Sequence, residues 1–211
     1  MGFTKLTDSN GGGGATEITG SVSIDDQPIE ITGSIGINRT GPVPTPLYRY
    51  LDSNGDGTGN KNFIANYSGS AEIAFIQPPS AQVYRLTRMI VLIGGPSQRI
   101  KTDTYGSADE LLVGINVRTQ NDSGTITELV DSITIKNNAQ WAGVCYDSEI
   151  FTTTANTTGY VKVRWTFERS GYPLRLVGDN NERLEVVLND DFDGTPDALT
   201  VHRFLVEGYI E

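Results

Sequence analysis

Apolar and polar residues alternate along much of this chain with a period of two. The run Val161-Lys162-Val163-Arg164-Trp165-Thr166-Phe167 is the cleanest example. Such alternation marks a strand with one face buried and one face wet. Strands are predicted over residues 70–76, 83–93, 111–118, 125–135, 144–151, 159–167, 174–177, 184–188 and 200–210. In the last run Val201, Arg203, Leu205, Glu207 and Tyr209 share one parity, with mixed polarity. Turn chemistry separates the runs: Gly94-Gly95-Pro96, Asp122-Ser123-Gly124, Ser170-Gly171-Tyr172-Pro173, Gly178-Asp179-Asn180-Asn181 and Asp193-Gly194-Thr195-Pro196. A short helix is predicted over residues 107–112. No helix alternates with the strands, which argues against a parallel α/β fold. Short strands separated by such breaks predict an all-β antiparallel sandwich of jelly-roll type over residues 47–211.

Residues 1–46 carry a different pattern and predict an extended N-terminal arm. Four glycines at 11–14 form a flexible linker by composition. Glu17-Ile18-Thr19-Gly20-Ser21-Val22-Ser23-Ile24 is echoed by Glu30-Ile31-Thr32-Gly33-Ser34-Ile35-Gly36-Ile37, with the turn-like Asp25-Asp26-Gln27-Pro28 between them. Two copies are too few for a solenoid, and two glycine-rich strands bury little surface alone. Gly41-Pro42-Val43-Pro44-Thr45-Pro46 reads as a stiff, extended spacer. Strands of this kind offer unpaired backbone groups to an outside sheet. Ile18, Val22, Ile24, Ile31, Ile35 and Ile37 are therefore the predicted partner-binding positions.

Charge narrows the function classes. Among 211 residues, 26 are acidic and 16 are Lys or Arg, for a net charge of −10. Nucleic acid and anionic membrane surfaces both call for an excess of Lys and Arg, so neither is an expected partner. No apolar run reaches the length of a membrane span. The opening Met1-Gly2-Phe3-Thr4-Lys5 lacks the apolar stretch of a secretory signal, so the glycosylation matches at Asn38 and Asn66 carry little weight. One Cys and one His exclude an internal disulfide, a cysteine-based zinc site and a multi-histidine metal site. No cofactor is expected, and the composition disfavours an enzyme.

Several motifs bear on chemistry. Asp52-Ser53-Asn54-Gly55-Asp56-Gly57-Thr58-Gly59 places oxygen ligands at alternate positions, as a calcium loop does. The bidentate Glu of such a loop is replaced by Phe63, so Asp52, Asn54 and Asp56 are weak metal candidates. A turn bonded to its own backbone is the expected state. Asn189-Asp190-Asp191-Phe192-Asp193-Gly194 could pair two carboxylates for acid–base work, but a solvated loop is expected. Cys145 reads as a buried structural residue, and His202 as a solvent-facing or edge residue. Trp141 and Trp165 could stack on sugars, although their parity fits a core.

Four stretches together resemble virion structural proteins of tailed bacteriophages, in particular head cement or decoration proteins. The first is Tyr48-Arg49-Tyr50-Leu51 running into the Asp52 loop. The second is Phe75-Ile76-Gln77-Pro78-Pro79 leading to Tyr84-Arg85-Leu86-Thr87-Arg88-Met89-Ile90-Val91. The third is Trp165-Thr166-Phe167. The fourth is Gly178-Asp179-Asn180-Asn181-Glu182-Arg183-Leu184-Glu185-Val186-Val187-Leu188, continuing through Phe204 to Gly208-Tyr209-Ile210-Glu211. The likeness covers most of residues 48–211, and its motifs are structural rather than catalytic. It implies a trimeric jelly-roll domain on the outer surface of a capsid, with the major capsid protein as partner. A tail-associated or receptor-binding, carbohydrate-binding virion protein is the alternative.

Overall fold

The computed structural model describes residues 43–59, 70–94, 111–129, 135–137, 139–141, 147–152, 159–167, 172–192 and 201–211. All of them belong to the compact unit Gly41–Glu211. The six partner-binding positions of the arm, Phe63, Cys145, Asp193 and both glycosylation matches lie outside the described residues.

Ten strands run through them: β1 (Thr45–Leu51), β2 (Glu72–Ile76), β3 (Val83–Gly94), β4 (Ile115–Gln120), β5 (Ile126–Glu128), β6 (Asp147–Thr152), β7 (Gly159–Thr166), β8 (Leu174–Val177), β9 (Arg183–Leu188) and β10 (Val201–Ile210). One sheet has the order β1-β10-β3-β7-β6, with β8 also on β3, and the other has the order β2-β9-β4-β5. The antiparallel pairs nest: β1 with β10, β2 with β9, β3 with β7, β4 with β5. A long hairpin rolled over itself, its pairs shared between two sheets, has this order. It is the jelly roll, and the fold is an all-β antiparallel sandwich.

Strand periodicity builds the core between the sheets. Leu51, Phe204, Val91 and Val163 stand in register across four strands of the first sheet. Ala74, Val186 and Val117 do the same in the second. All seven are buried, and they belong to one continuous apolar cluster. Each Val, Leu or Phe among them stabilises the fold by roughly 1.5–3 kcal/mol on burial. Trp165 and Phe167 extend the cluster with rings 5.4 Å apart. Trp141 enters it from a helical turn, where Asn137 and Gln140 bond each other's backbone N–H groups at 3.0 and 3.1 Å.

Several expectations change. Thr45 and Pro46, placed with the spacer by the proline pattern, open β1 opposite Ile210 and Tyr209. Proline is tolerated there because β1 is an edge strand. Of the strand predicted over 125–135, the described residues hold β5 and a bridge between Ile135 and Ile115; residues 130–134 lie outside the described residues. Leu111 and Leu112 are not helical; residues 107–110 of that predicted helix lie outside the described residues. His202 is neither solvent-facing nor at an edge. It is 1% exposed on β10, between β1 and β3, with Phe192 edge-on at 5.0 Å. Its parity is that of Phe204 and Val206, which places it on the inward face.

Candidate functional site

β1 does not end at a free turn. Its chain continues into the Asp52 loop, which crosses to the other sheet. Asp52 and Phe75 exchange backbone hydrogen bonds at 3.1 and 2.9 Å, and Gln77 N–H donates to Gly55 C=O at 2.9 Å. The loop thus joins β1 of one sheet to β2 of the other.

Asp52 organises this loop. The residue is 2% exposed. Its Oδ1 accepts the N–H of Asn54 at 3.0 Å and of Gly55 at 2.5 Å, and its Oδ2 accepts the N–H of Gly59 at 2.8 Å. Both oxygens are therefore engaged by the loop's own backbone, as in an Asx turn. Gly55 has φ +76°, and a Cβ there would stand 1.9 Å from the Phe75 ring. The loop closes only because this position carries no side chain. Asp56 lies on the exposed rim and accepts the N–H and the hydroxyl of Thr58, each at 2.8 Å. Those two bonds hold its carboxyl below the usual carboxylate range. Asp52, Asn54 and Asp56 are thus close in space, but they form a turn whose inner carboxylate serves N–H donors.

Beside this loop lies an open groove of about 350 Å³. Phe75, Pro79 and Tyr84 give it an apolar lining, and Asn54, Asp56 and Gln77 give it polar groups. Tyr84 is 4% exposed, and its ring belongs to the core cluster. Burial pushes its hydroxyl's pKa up, against the pull of Arg49. The Arg183 guanidinium sits 5.0 Å over the Phe75 ring. Gln77 Nε2 donates to Asn181 Oδ1 at 3.1 Å. The sequence carried a signal for this groove: Phe75-Ile76-Gln77-Pro78-Pro79 breaks the strand pattern with two prolines directly after an aromatic. A reading centred on titratable residues passes over it.

The other sequence candidates separate from this site. Asp190 accepts the N–H of Val113 at 3.0 and 3.1 Å, and also that of Gly114. Asn189 Nδ2 donates to Gly114 C=O at 2.9 Å and to Asn116 Oδ1 at 2.6 Å. The acidic segment after β9 therefore fastens the turn that precedes β4. Trp141 is fully buried and Trp165 is 9% exposed, so neither presents a ring for stacking. Among the described residues no three His, Cys, Asp or Glu side chains gather as a metal site. No protein-family model, curated protein or solved structure matches this chain.

Proposed function

We propose that the chain is a virion structural protein that decorates or cements a bacteriophage capsid by bridging neighbouring capsid subunits. One observation carries the reading. The strands nest as a jelly roll, the architecture implied by the resemblance over residues 48–211, and jelly rolls are recurrent capsid folds. A net charge of −10 suits the outside of a shell, since packaged DNA would repel it within. The work of such a protein is cohesion: surface buried across subunit boundaries has to be exposed again before the shell can expand or rupture. In this reading the protein acts as a trimer, and its arm reaches the major capsid protein. A reconstruction of purified particles tests it, with density for the β domain expected on the head, over boundaries between capsid subunits. Density at the tail instead would favour the receptor-binding alternative, and absence from the particle would end both. Light scattering behind size exclusion checks the trimer, and a clean monomer at micromolar concentration would refute that part.

A further inference from the structure

The Asp52 loop contains Asn54-Gly55, the dipeptide most prone to spontaneous deamidation. Glycine carries no side chain to hinder attack of its nitrogen on the preceding asparagine amide. The Gly55 nitrogen loses its proton and bonds to Asn54 Cγ, the side-chain nitrogen leaves as ammonia, and a cyclic imide closes. Water then opens the imide at either carbonyl and leaves aspartate or isoaspartate. We propose that Asn54 is a latent deamidation site which the Asp52 carboxylate holds shut, and that it reacts only in molecules whose junction between β1 and β2 has opened.

The two partners of the reaction sit in opposite environments. Asn54 is exposed, so water reaches it. Gly55 is buried, and its N–H, the proton that has to leave, donates to Asp52 Oδ1 at 2.5 Å. A hydrogen bond to a carboxylate is among the stronger kinds, and a negative charge beside the nitrogen opposes loss of its proton. The nitrogen is also fixed in position. Gly55 keeps φ +76° against the Phe75 ring, and its C=O accepts Gln77 N–H at 2.9 Å. Turning the Gly55 nitrogen toward Asn54 Cγ gives up the bond to Asp52 and strains the bond to Gln77, which ties the loop to β2.

The product would record the opening. Aspartate adds a negative charge at an exposed position. Isoaspartate also inserts its Cβ into the main chain, which displaces Gly55 from both Asp52 Oδ1 and Gln77 N–H. A molecule that has opened and reacted this way cannot close the junction as before. Asp56-Gly57 could form the same imide, but the two Thr58 bonds keep Asp56 ionised, and an ionised carboxylate resists attack at its carbon. Asn10-Gly11 repeats the chemistry in the arm, outside the described residues. The inference stands apart from the capsid reading, because it concerns the folded domain alone.

The test incubates the full chain in warm, mildly alkaline buffer, folded and in urea. Peptide mass mapping follows deamidation at Asn54, and enzymatic methylation marks isoaspartate. Asn54 should react at least about tenfold more slowly in the folded chain than in urea, because the reaction draws only on the open fraction. Hydrogen exchange should show the Gly55 amide protected in the folded chain. Asp52→Ala should bring the folded rate toward the urea rate; where that variant does not fold, the parent's two rates and its Gly55 protection decide. Isoaspartyl molecules, separated by ion exchange, should melt below Asn54→Asp, which carries the same added charge on an ordinary backbone. The proposal is overturned if Asn54 stays intact in urea or reacts as fast in the folded chain as in urea. It is equally overturned if the Gly55 amide exchanges as freely as in the unfolded chain, if a folded Asp52→Ala reacts no faster than the parent, or if the isoaspartyl form and Asn54→Asp melt together.

Discussion

Glu185 is a carboxylate with no exposed surface, on the face of β9 that points away from the apolar cluster. Arg118, its cross-strand neighbour on β4, donates Nε to Oε2 at 2.7 Å. Arg183, two residues earlier on β9, places Nε 2.5 Å from Oε1 as an ion pair. Arg183 is fixed in turn by Gln120 Oε1 at 2.6 Å and by the Phe75 ring. Burying a carboxylate is unfavourable unless its charge is matched, and removing one partner of a buried pair costs more than removing both. Arg118→Met should therefore destabilise the domain by about 2–3 kcal/mol, below the full cost of an orphaned ion because Arg183 remains and Arg118 is 21% exposed. Arg118→Met with Glu185→Leu should recover most of that loss. Urea titrations of the two single variants and the double variant decide it: additive destabilisation would show that the two side chains are not coupled. The alternation Leu184-Glu185-Val186 already turned Glu185 away from the core. Its burial was not legible, because the cover comes from β4, 67 residues distant in sequence.

β3 shows how an element can break its own period and still serve one core. Tyr84 and Leu86 point inward on one parity, and Met89, Val91 and Ile93 on the other. The phase changes at Thr87, where pairing with β10 skips a residue between Glu207 and Gly208. Thr87 Oγ1 donates to Glu207 C=O at 3.2 Å and helps satisfy the interrupted ladder. Such a β-bulge re-aims the strand without ending it. Gly208 is the residue that permits the close approach: a Cβ there would stand 2.0 Å from Arg85 C=O. Gly208→Ala should shift one backbone against the other and cost about 3 kcal/mol or more, read as a lower melting temperature. An unchanged melt would show that the bulge relaxes freely. The strand itself was legible from residues 83–93, but the bulge was not, because Ile90 and Leu92 are apolar alongside Met89, Val91 and Ile93 and hide the change of phase. The partner of the bulge was not legible, since local pattern does not encode which distant strand lies opposite. β1 was missed for a related reason. Proline normally argues against a strand, and only its position at a sheet edge reconciles Pro46 with pairing.

At the scale of the molecule, the N-terminal and C-terminal strands close the roll together. β1 lies along β10 from Thr45 to Leu51, opposite Ile210 to Phe204. Leu47 and Leu51 are buried by this pairing, and the Asp52 junction follows directly. Alternation and turn chemistry announced a two-sheet β domain, but the nested order depends on pairs such as β1·β10 that span nearly the whole domain. β1 begins at Thr45, so the domain's own pairing starts within the last residues of the proline-rich spacer. Removing residues 1–42 leaves β1 intact, so the remaining chain should keep a cooperative melt at the temperature of the full chain. Removing residues 1–51 strips β1 from β10 and breaks the junction to β2, and cooperative unfolding should be lost. If the arm is the attachment element proposed above, the shorter deletion should also weaken binding to capsid particles roughly tenfold or more, equivalent to about 1.4 kcal/mol. Ile24→Asp with Ile37→Asp should lower particle binding in the same direction, because both charges fall on the proposed contact stripe, while the melt of the β domain stays fixed. Co-sedimentation with undecorated particles reads both experiments. Full occupancy by residues 43–211 would move the anchor from the arm to a face of the jelly roll.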